Sequence, residues 1–201
     1  MKPGLIILVV FLVLLGLFLI FYNVIHLSIE KLTFKKKTAK RVYQIAMDHD
    51  YYLLNEVAMK IGTHTIHFDH ILFGNKYIYC IVSRYYNVGV NGNFEDVSWF
   101  NYKLNGKCKM MKNPLRLNRE RVDYFATSIT SSKDMFIAML AVNDSCLVSD
   151  IKGASENDLI FNVKNLEKII KEHENRKDVS IIEPKMLEIL VKDIYSKCIK
   201  K

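Results

Sequence analysis

The feature that most constrains this chain is an uncharged apolar run near its N-terminus, from Leu5 to Ile25. Its 21 residues read LIILVVFLVLLGLFLIFYNVI and include one strongly polar side chain, Asn23. At roughly 1.5 Å per residue, such a helix is about 31 Å long and matches the hydrocarbon core of a bilayer. A buried core helix seldom needs so long a run, and a cleaved signal peptide has a shorter apolar region that ends in small residues. The run therefore predicts an uncleaved transmembrane helix.

Basic residues flank this predicted span unevenly. Lys2 precedes it, and the residues that follow it are rich in lysine and arginine, with Glu30 as the acid among them: Lys31, Lys35, Lys36, Lys37, Lys40 and Arg41. Positive charge stays on the cytoplasmic side of a membrane, and anionic lipid head groups attract such a segment. We therefore expect a single-pass membrane protein with a cytoplasmic C-terminal part. The expected organisation is an anchor over residues 1–27, a basic connector over 28–45 and a folded domain over 46–201.

The cysteines and the remaining charge narrow the class of the domain. Its four cysteines are scattered and form no C-x-x-C pair, which excludes a dense disulfide scaffold and a cysteine zinc site and suits a reducing compartment. Most of the net charge of +8 belongs to the first 41 residues, so the charge of the whole chain says little about nucleic acid. Residues 101–121 are the exception, because this segment contains seven basic residues and a single glutamate.

Hydrophobic spacing predicts a mixed domain. Helical spacing covers 42–61, 115–129, 163–173 and 184–199, and strand-like runs cover 63–73, 77–86, 88–92, 135–142 and 146–148. Residues 99–104 and 107–111 flank Asn105-Gly106, which is the strongest short signal for a β-hairpin. This order predicts an α/β or α+β domain with a central mixed sheet flanked by helices.

Three histidines and an aspartate lie close together in the predicted strand 63–73: His64, His67, Asp69 and His70. Alternate residues of a strand share a face, so His67 and Asp69 are expected to point away from His64 and His70. That separation, without a fourth soft ligand nearby, disfavours a zinc site. Asp69 is costly in an apolar strand unless it is bonded, and Arg84 stands in the next predicted strand. The simplest interpretation is an ion pair between Asp69 and Arg84 across neighbouring strands.

The order of several short motifs resembles the nuclease-related domain, NERD, a family often found behind a membrane segment in bacteria. The resemblance covers roughly residues 50–160. In chain order the matching pieces are Asn55-Glu56-Val57-Ala58, Phe68-Asp69-His70-Ile71, Ile78-Tyr79-Cys80-Ile81-Val82-Ser83-Arg84, Gly89-Val90-Asn91-Gly92, Trp99 and Lys112-Asn113-Pro114-Leu115-Arg116. The resemblance implies a restriction-endonuclease-like fold, in which helices flank a central sheet.

The resemblance also implies a chemistry. In nucleases of this type, an acid on one strand and a Glu-x-Lys triplet on the next hold a hard divalent cation such as Mg²⁺. The metal lowers the pKa of a water molecule and stabilises the charge that builds on the phosphate. The lysine of the triplet orients or deprotonates that water.

This chain keeps only part of that pattern. Asp69 matches the first metal-binding acid, and Glu56 matches an acid on the preceding helix. Val82 stands at the glutamate of the triplet, Arg84 at its lysine, and Leu117 where the family tends to have glutamine. A valine cannot bind a metal, and an arginine stays charged and cannot act as a base. Arg84 is suited instead to clamp a phosphate or to pair with Asp69.

A compensating acid would have to come from elsewhere. Glu95 and Asp96 are the nearest candidates in sequence, and both fall in a predicted loop. We therefore expect a catalytically impaired domain, because the loss of an essential catalytic group lowers a rate by orders of magnitude.

The basic segment 101–121 supplies candidate ligands for nucleic acid. Phosphates would contact Lys103, Lys109, Lys112, Asn113 and Arg116, and Tyr102 would stack on a base. A solvated hairpin and an ordinary helix surface are the simpler alternative.

The expected function is a membrane-anchored NERD-like protein that binds nucleic acid or a protein partner at the cytoplasmic membrane face and needs no cofactor. The first alternative is an active Mg²⁺-dependent nuclease that uses Asp69, Glu56 and Arg84, with Asp69 as metal ligand. The second is a purely structural membrane-associated interaction protein.

Overall fold

The computed structural model describes residues 3–129 and 132–199. Within them the helices are α1 (Pro3–His49), α2 (Pro114–Ile129), α3 (Leu166–Glu174) and α4 (Pro184–Lys197). The strands are β1 (Tyr52–Ile61), β2 (His64–Phe73), β3 (Ile78–Arg84), β4 (Gly89–Asn91), β5 (Ser98–Tyr102), β6 (Cys108–Lys112), β7 (Phe136–Val142), β8 (Leu147–Val148) and β9 (Asp158–Asn162). The chain divides into two compact units, with the boundary between Lys35 and Lys36.

The apolar N-terminal run lies in α1. Among the residues that the structure describes, no helix is long and apolar enough to cross a membrane. The side chains at positions 5, 6, 9, 19, 20, 23 and 24 lie outside the described part, so the predicted span Leu5–Ile25 falls partly beyond that finding. The transmembrane helix is not confirmed and stays a prediction.

The larger sheet has the strand order β1-β2-β3-β7-β9. Strands β1, β2 and β3 are antiparallel neighbours, whereas β3, β7 and β9 run parallel. This confirms the predicted mixed sheet. The parallel half needs long crossovers, and α2 lies in the connection from β3 to β7.

Helices cover both faces of this sheet. On one face, alternate residues of β3 and β7, such as Cys80 and Ala138, share a buried apolar core with α2 and α4. On the other face Tyr79 is also fully buried, and its hydroxyl donates to Glu174 Oε1 of α3 over 2.7 Å. Arg41 of α1 pairs with Glu167 of α3 over 2.9 Å. Strands covered on both sides read as continuous apolar runs, which explains β3 and β7.

The smaller sheet has the order β6-β5-β4-β8 and was not foreseen as a separate sheet. Its β5–β6 hairpin confirms the prediction around Asn105-Gly106. Gly106 has a φ of 72°, and the Lys103 amide donates to the Lys107 carbonyl over 2.9 Å. The turn therefore needs a left-handed residue at the position where glycine stands.

The predicted helix over 42–61 is wrong in its second half. Helix α1 ends at His49, Asp50 has a φ of 55°, and the Tyr51 amide donates to the Ala46 carbonyl over 2.9 Å. The chain then continues as β1, paired with β2 from Tyr52 to Ile61. The apolar spacing of this segment fits a helix as well as a strand, and pairing with β2 decides between them.

The other elements agree with the sequence except for β9. The helices near 115–129, 163–173 and 184–199 and the strands near 63–73, 77–86 and 135–142 all form within a few residues of their predicted bounds. Strand β9 was missed because its five residues carry little apolar periodicity. It is defined by parallel pairing with β7, from Ala138↔Asp158 to Val142↔Asn162.

Candidate functional site

Asp69 and Arg84 meet where β2 and β3 separate. The register between these strands runs from Phe73↔Ile78 to His70↔Ile81. Just beyond its end, the Ser83 amide donates to Asp69 Oδ2 over 2.6 Å, and Arg84 Nη1 lies 3.9 Å from the same oxygen. The ion pair predicted across neighbouring strands is therefore present.

The two partners differ in burial. The Asp69 side chain is 5% exposed, whereas the Arg84 side chain is 43% exposed. Arg84 Nη1 also donates to the Ser83 carbonyl over 2.9 Å, which holds the guanidinium over the strand end. The result is a buried carboxyl group beneath a guanidinium that reaches solvent.

Glu56 lies on strand β1, not on a helix as predicted. It stands between Asn55, which pairs with His70, and Val57, which pairs with Phe68, so its place along the strand is opposite Asp69. Its φ is 50°, and its carboxylate lies 3.6 Å from His67 Nε2. The Glu56 side chain is 53% exposed. Because the helix ended earlier, Glu56 lies on the edge strand, where its carboxylate faces His67.

Strict alternation along β2 fails at Asp69. Ile66 and Phe68 belong to the core, but so do Ile71 and Phe73, so the core face shifts by one residue between them. The positive φ of Glu56, which stands opposite Asp69 on the neighbouring strand, marks the same point, and the register of the two strands is the same on both sides of it. The faces predicted for the histidines therefore hold only as far as Phe68.

The histidines of β2 make separate contacts. His64 stacks on Tyr124 with ring centroids 5.4 Å apart, His67 faces Glu56, and buried His70 hydrogen-bonds Asn55 Oδ1 through Nδ1 over 2.7 Å. Among the described residues there is no group of three or more His, Cys, Asp or Glu side chains that could hold a metal.

Val82 is part of the core. It is 3% exposed and packs in the apolar cluster that includes α2 and α4. The resemblance assigns the second acid of a two-carboxylate magnesium site to this position, and a valine offers no ligand. Asp69 Oδ2 already accepts the Ser83 amide, so the residues present here do not fit such a site.

Arg121 of α2 is a site residue that the sequence analysis missed. Its side chain is half-buried, and its pKa is lowered, chiefly by burial and then by the nearby charge of Arg84, while Asp69 acts in the opposite direction. The charges of Arg84 and Asp69 therefore act on the pKa of Arg121. Asp69 and Arg84, which lie 3.9 Å apart, are called the Asp69 cluster below. A signal was available, because Arg121 lies one helical turn after Leu117, where the resemblance expects glutamine.

The predicted basic ligands are spread over the β5–β6 hairpin. Lys103, Lys109, Lys112 and Arg116 are all exposed. Lys112 pairs with Ser98 and Lys109 with Asn101, so these two lysines point to opposite faces of the hairpin. The hairpin does not gather its lysines on one surface.

Asn113 has a structural position. It is 1% exposed, its Oδ1 accepts the amides of Leu115 and Arg116, and its Nδ2 donates to the carbonyls of Phe94 and Asp96 over 2.8 and 2.9 Å. It therefore caps the first turn of α2 and fixes the loop that carries the suggested compensating acids. Its amide is fully used in the fold.

Trp99 and Gly92 complete the same junction. The indole Nε1 donates to the Asn93 carbonyl over 2.8 Å, and a side chain at Gly92 would lie 2.2 Å from the Trp99 ring. Several residues of the family motifs therefore stabilise the start of α2 and the loop packed against it.

The strand pair with Asp69 and Arg84, followed by the capped helix α2, has the order of a nuclease-related domain. The family model of the nuclease-related domain, NERD, matches residues 33–143, which is more than half of the chain. The chain therefore belongs to the NERD family. The match begins in α1, earlier than the resemblance at residue 50, and ends just after β7. No curated protein and no solved structure matches the chain.

Proposed function

We propose that this chain is a membrane-anchored NERD protein whose domain binds nucleic acid without cleaving it. The observation that carries the proposal is Val82, an aliphatic side chain buried in the core at the position of the second metal-binding acid. Arg84 next to it pairs with Asp69 and cannot serve as a base. A site with one carboxylate and a fixed cation is suited to hold a phosphate, not to activate water on a metal.

The basic segment supports nucleic acid as the ligand. Residues 101–121 carry seven lysines and arginines against Glu120. Exposed lysines on both faces of a hairpin provide phosphate contacts without base readout, so we expect binding that depends on salt and not on sequence.

The test uses the full chain in detergent with DNA and RNA oligonucleotides. We expect no cleavage with Mg²⁺ and a mobility shift that weakens as salt rises. Lys112→Glu with Arg116→Glu should weaken the shift, whereas Lys168→Glu with Lys192→Glu, the same charge change on α3 and α4, should change it less. Cleavage that Asp69→Ala abolishes would contradict the proposal and favour an active nuclease. A chain that neither cleaves nor binds would favour a protein partner instead.

The membrane part of the proposal rests on the run Leu5–Ile25 and its basic C-terminal flank. Cys108 on the hairpin is an exposed free thiol and offers a probe of orientation. In cells that express the full chain, a membrane-impermeant maleimide should label Cys108 only after lysis, and the chain should resist extraction by carbonate. Cys108→Ser is the control. Labelling of intact cells would contradict the cytoplasmic orientation, and release by carbonate would contradict the anchor.

A further inference from the structure

The outer face of the smaller sheet carries two aromatic side chains. Phe100 and Tyr102 stand two residues apart on β5, which lies between β6 and β4, so their rings are on the same face. They are 48% and 39% exposed, whereas the neighbouring Trp99, on the other face, is fully buried. The core therefore covers one face of β5 and leaves the other open. We call Phe100 and Tyr102 the aromatic platform.

The strands on either side leave the two rings accessible. Gly89 of β4 pairs with Tyr102 and has no side chain to place beside the ring. A Cβ atom at Gly89 would lie 2.6 Å from the Leu147 carbonyl oxygen, so the close packing of β4 on β8 requires glycine there. On the other side of β5, Met110 pairs with Phe100 and is 65% exposed. The aromatic platform is therefore an open surface in the part of the chain that the structure describes.

The charge around the aromatic platform favours an anionic ligand. Residues 97–112 contain four lysines and no acidic residue. Lys112 pairs with Ser98 and so lies on the same face as the platform. It also lines a cavity of about 220 Å³ together with Arg116, which pairs with Glu120 over 3.5 Å. A nucleic acid fits this surface, because it combines flat bases with negative charge.

The spacing of the two rings selects single strands. Alternate residues of a β-strand lie about 6.5–7 Å apart. Neighbouring bases of a duplex are only about 3.4 Å apart along the helix. They cover each other's faces, so a side chain can stack on them only after they leave the stack. Every base has such a face, and the preference therefore concerns the number of strands and not the sequence.

We propose that the aromatic platform binds single-stranded nucleic acid by stacking bases on Phe100 and Tyr102, while Lys112 contacts the phosphate backbone. This inference rests on the proposed function and names the class of nucleic acid within it. The contact lies on the smaller sheet and requires neither Asp69 nor a divalent cation.

The experiment measures by anisotropy how the full chain in detergent binds a fluorescein-labelled single-stranded DNA oligonucleotide and the same oligonucleotide in a duplex. We expect the single strand to bind more tightly. Phe100→Ala and Tyr102→Ala should each weaken its binding by roughly tenfold and change that of the duplex by less than about threefold. Tyr195→Ala removes a ring that is 64% exposed on α4 and should change either affinity by less than about twofold.

Two further variants separate base stacking from general apolar contact. Phe100→Leu keeps an apolar side chain without a π face, so it should lose as much affinity for the single strand as Phe100→Ala. Phe100→Trp keeps a π face, and the fluorescence of its exposed indole should be quenched by the single strand and not by the duplex. Thermal unfolding should show that these variants stay folded, because the Phe100 side chain is half exposed.

Three results would overturn the inference and leave the proposed nucleic-acid binding intact. They are equal effects of Phe100→Ala and Tyr195→Ala, equal losses for single strand and duplex, and a Phe100→Leu variant that binds the single strand as tightly as the unsubstituted chain. Failure of the unsubstituted chain to bind either oligonucleotide would overturn the proposed function and this inference together.

A membrane surface is the competing occupant of this face, and Cys108 reports on it. Cys108 pairs with Tyr102 and is an exposed free thiol, so a polarity-sensitive dye on it lies beside the aromatic platform. With the full chain in phosphatidylglycerol vesicles, we expect the emission of the dye to match that in detergent-free phosphatidylcholine vesicles. A blue shift in phosphatidylglycerol, together with unchanged binding of the single strand by Phe100→Ala, would assign the face to anionic lipid and overturn the inference.

Discussion

The Asp69 cluster and the β5–β6 hairpin contrast in how they arrange charge. At the cluster, two charged residues from different strands, Asp69 of β2 and Arg84 of β3, lie 3.9 Å apart, and Asp69 is buried. On the hairpin, lysines that are close in sequence are exposed and point to both faces. Density of charge along the chain is therefore a poor guide to a site, whereas convergence of charge in the fold is a better one.

The largest effect should come from restoring the missing acid. Val82→Glu buries a carboxylate in the apolar core, and we expect the free energy of unfolding to fall by about 3 kcal/mol or more. Val97→Glu places the same group where the side chain is 75% exposed and should change stability by about 0.5 kcal/mol or less. Urea unfolding of both variants measures this. A stable Val82→Glu variant whose melting temperature rises with Mg²⁺ would show that the position accepts a metal ligand.

The next effect concerns the junction that supports the hairpin and α2. Asn113→Ala removes a helix cap and leaves buried carbonyls without their donor, so we expect a loss of about 2 kcal/mol in urea unfolding. Asn105→Ala removes one exposed hydrogen bond in the hairpin turn, to the Lys107 amide at 3.1 Å, and should cost about 0.5 kcal/mol. Equal losses would mean that the Asn113 network contributes little to stability.

A smaller effect on oligonucleotide binding is expected at Asp69. Its sign differs between a domain that binds nucleic acid without a metal and a metal-dependent nuclease. Asp69→Asn keeps an acceptor for the Ser83 amide but removes the negative charge beside Arg84. Oligonucleotide binding in EDTA should become tighter by about threefold to fivefold, since a like charge is removed from the phosphate site. Weaker binding, or loss of a Mg²⁺-dependent activity, would indicate that Asp69 acts as a metal ligand.

An effect of similar size is a pH dependence of stability at Tyr86, next to the cluster. Burial raises the pKa of Tyr86 to about 12, and the positive charge of Arg84 opposes that shift. The folded chain therefore favours the neutral phenol. The stability that depends on it is complete below pH 10 and is lost as pH rises toward 12. Unfolding of the unsubstituted chain should become easier by about 1 kcal/mol at pH 11 relative to pH 9, beyond any change in Tyr86→Phe. Identical pH profiles for the two chains would contradict this.

The fold was largely predictable from local patterns of residues. The predictions that failed did so for physical reasons. The segment 52–61 has apolar residues at spacings that suit a helix, yet it forms β1 because β2 offers a ten-residue partner. Strand β9 has no local signal of its own and exists through its pairing with β7. The Asn-Gly hairpin was predictable because its turn requires a left-handed residue where Gly106 stands, and the Asn105 side chain accepts the Lys107 amide.

The contact between Asp69 and Arg84 was predictable from the sequence, but the other residues of the candidate site were not. Asp69 and Arg84 were expected to meet because they lie on successive strands, and they do. Arg121 was grouped with the other basic residues of 101–121, although the charges of Arg84 and Asp69 both act on its pKa. Asn113 was predicted to contact phosphate together with its basic sequence neighbours, but its side-chain amide caps α2.

The sequence by itself determined the uncharged N-terminal run, the mixed α/β class and the NERD membership, because each depends on residue types or on local spacing. Only the tertiary structure decided that Glu56 lies on an edge strand and that Asn113 is buried. Those outcomes depend on strand pairing and helix packing between distant segments, and the free energy of such contacts is not encoded in any short stretch of the chain.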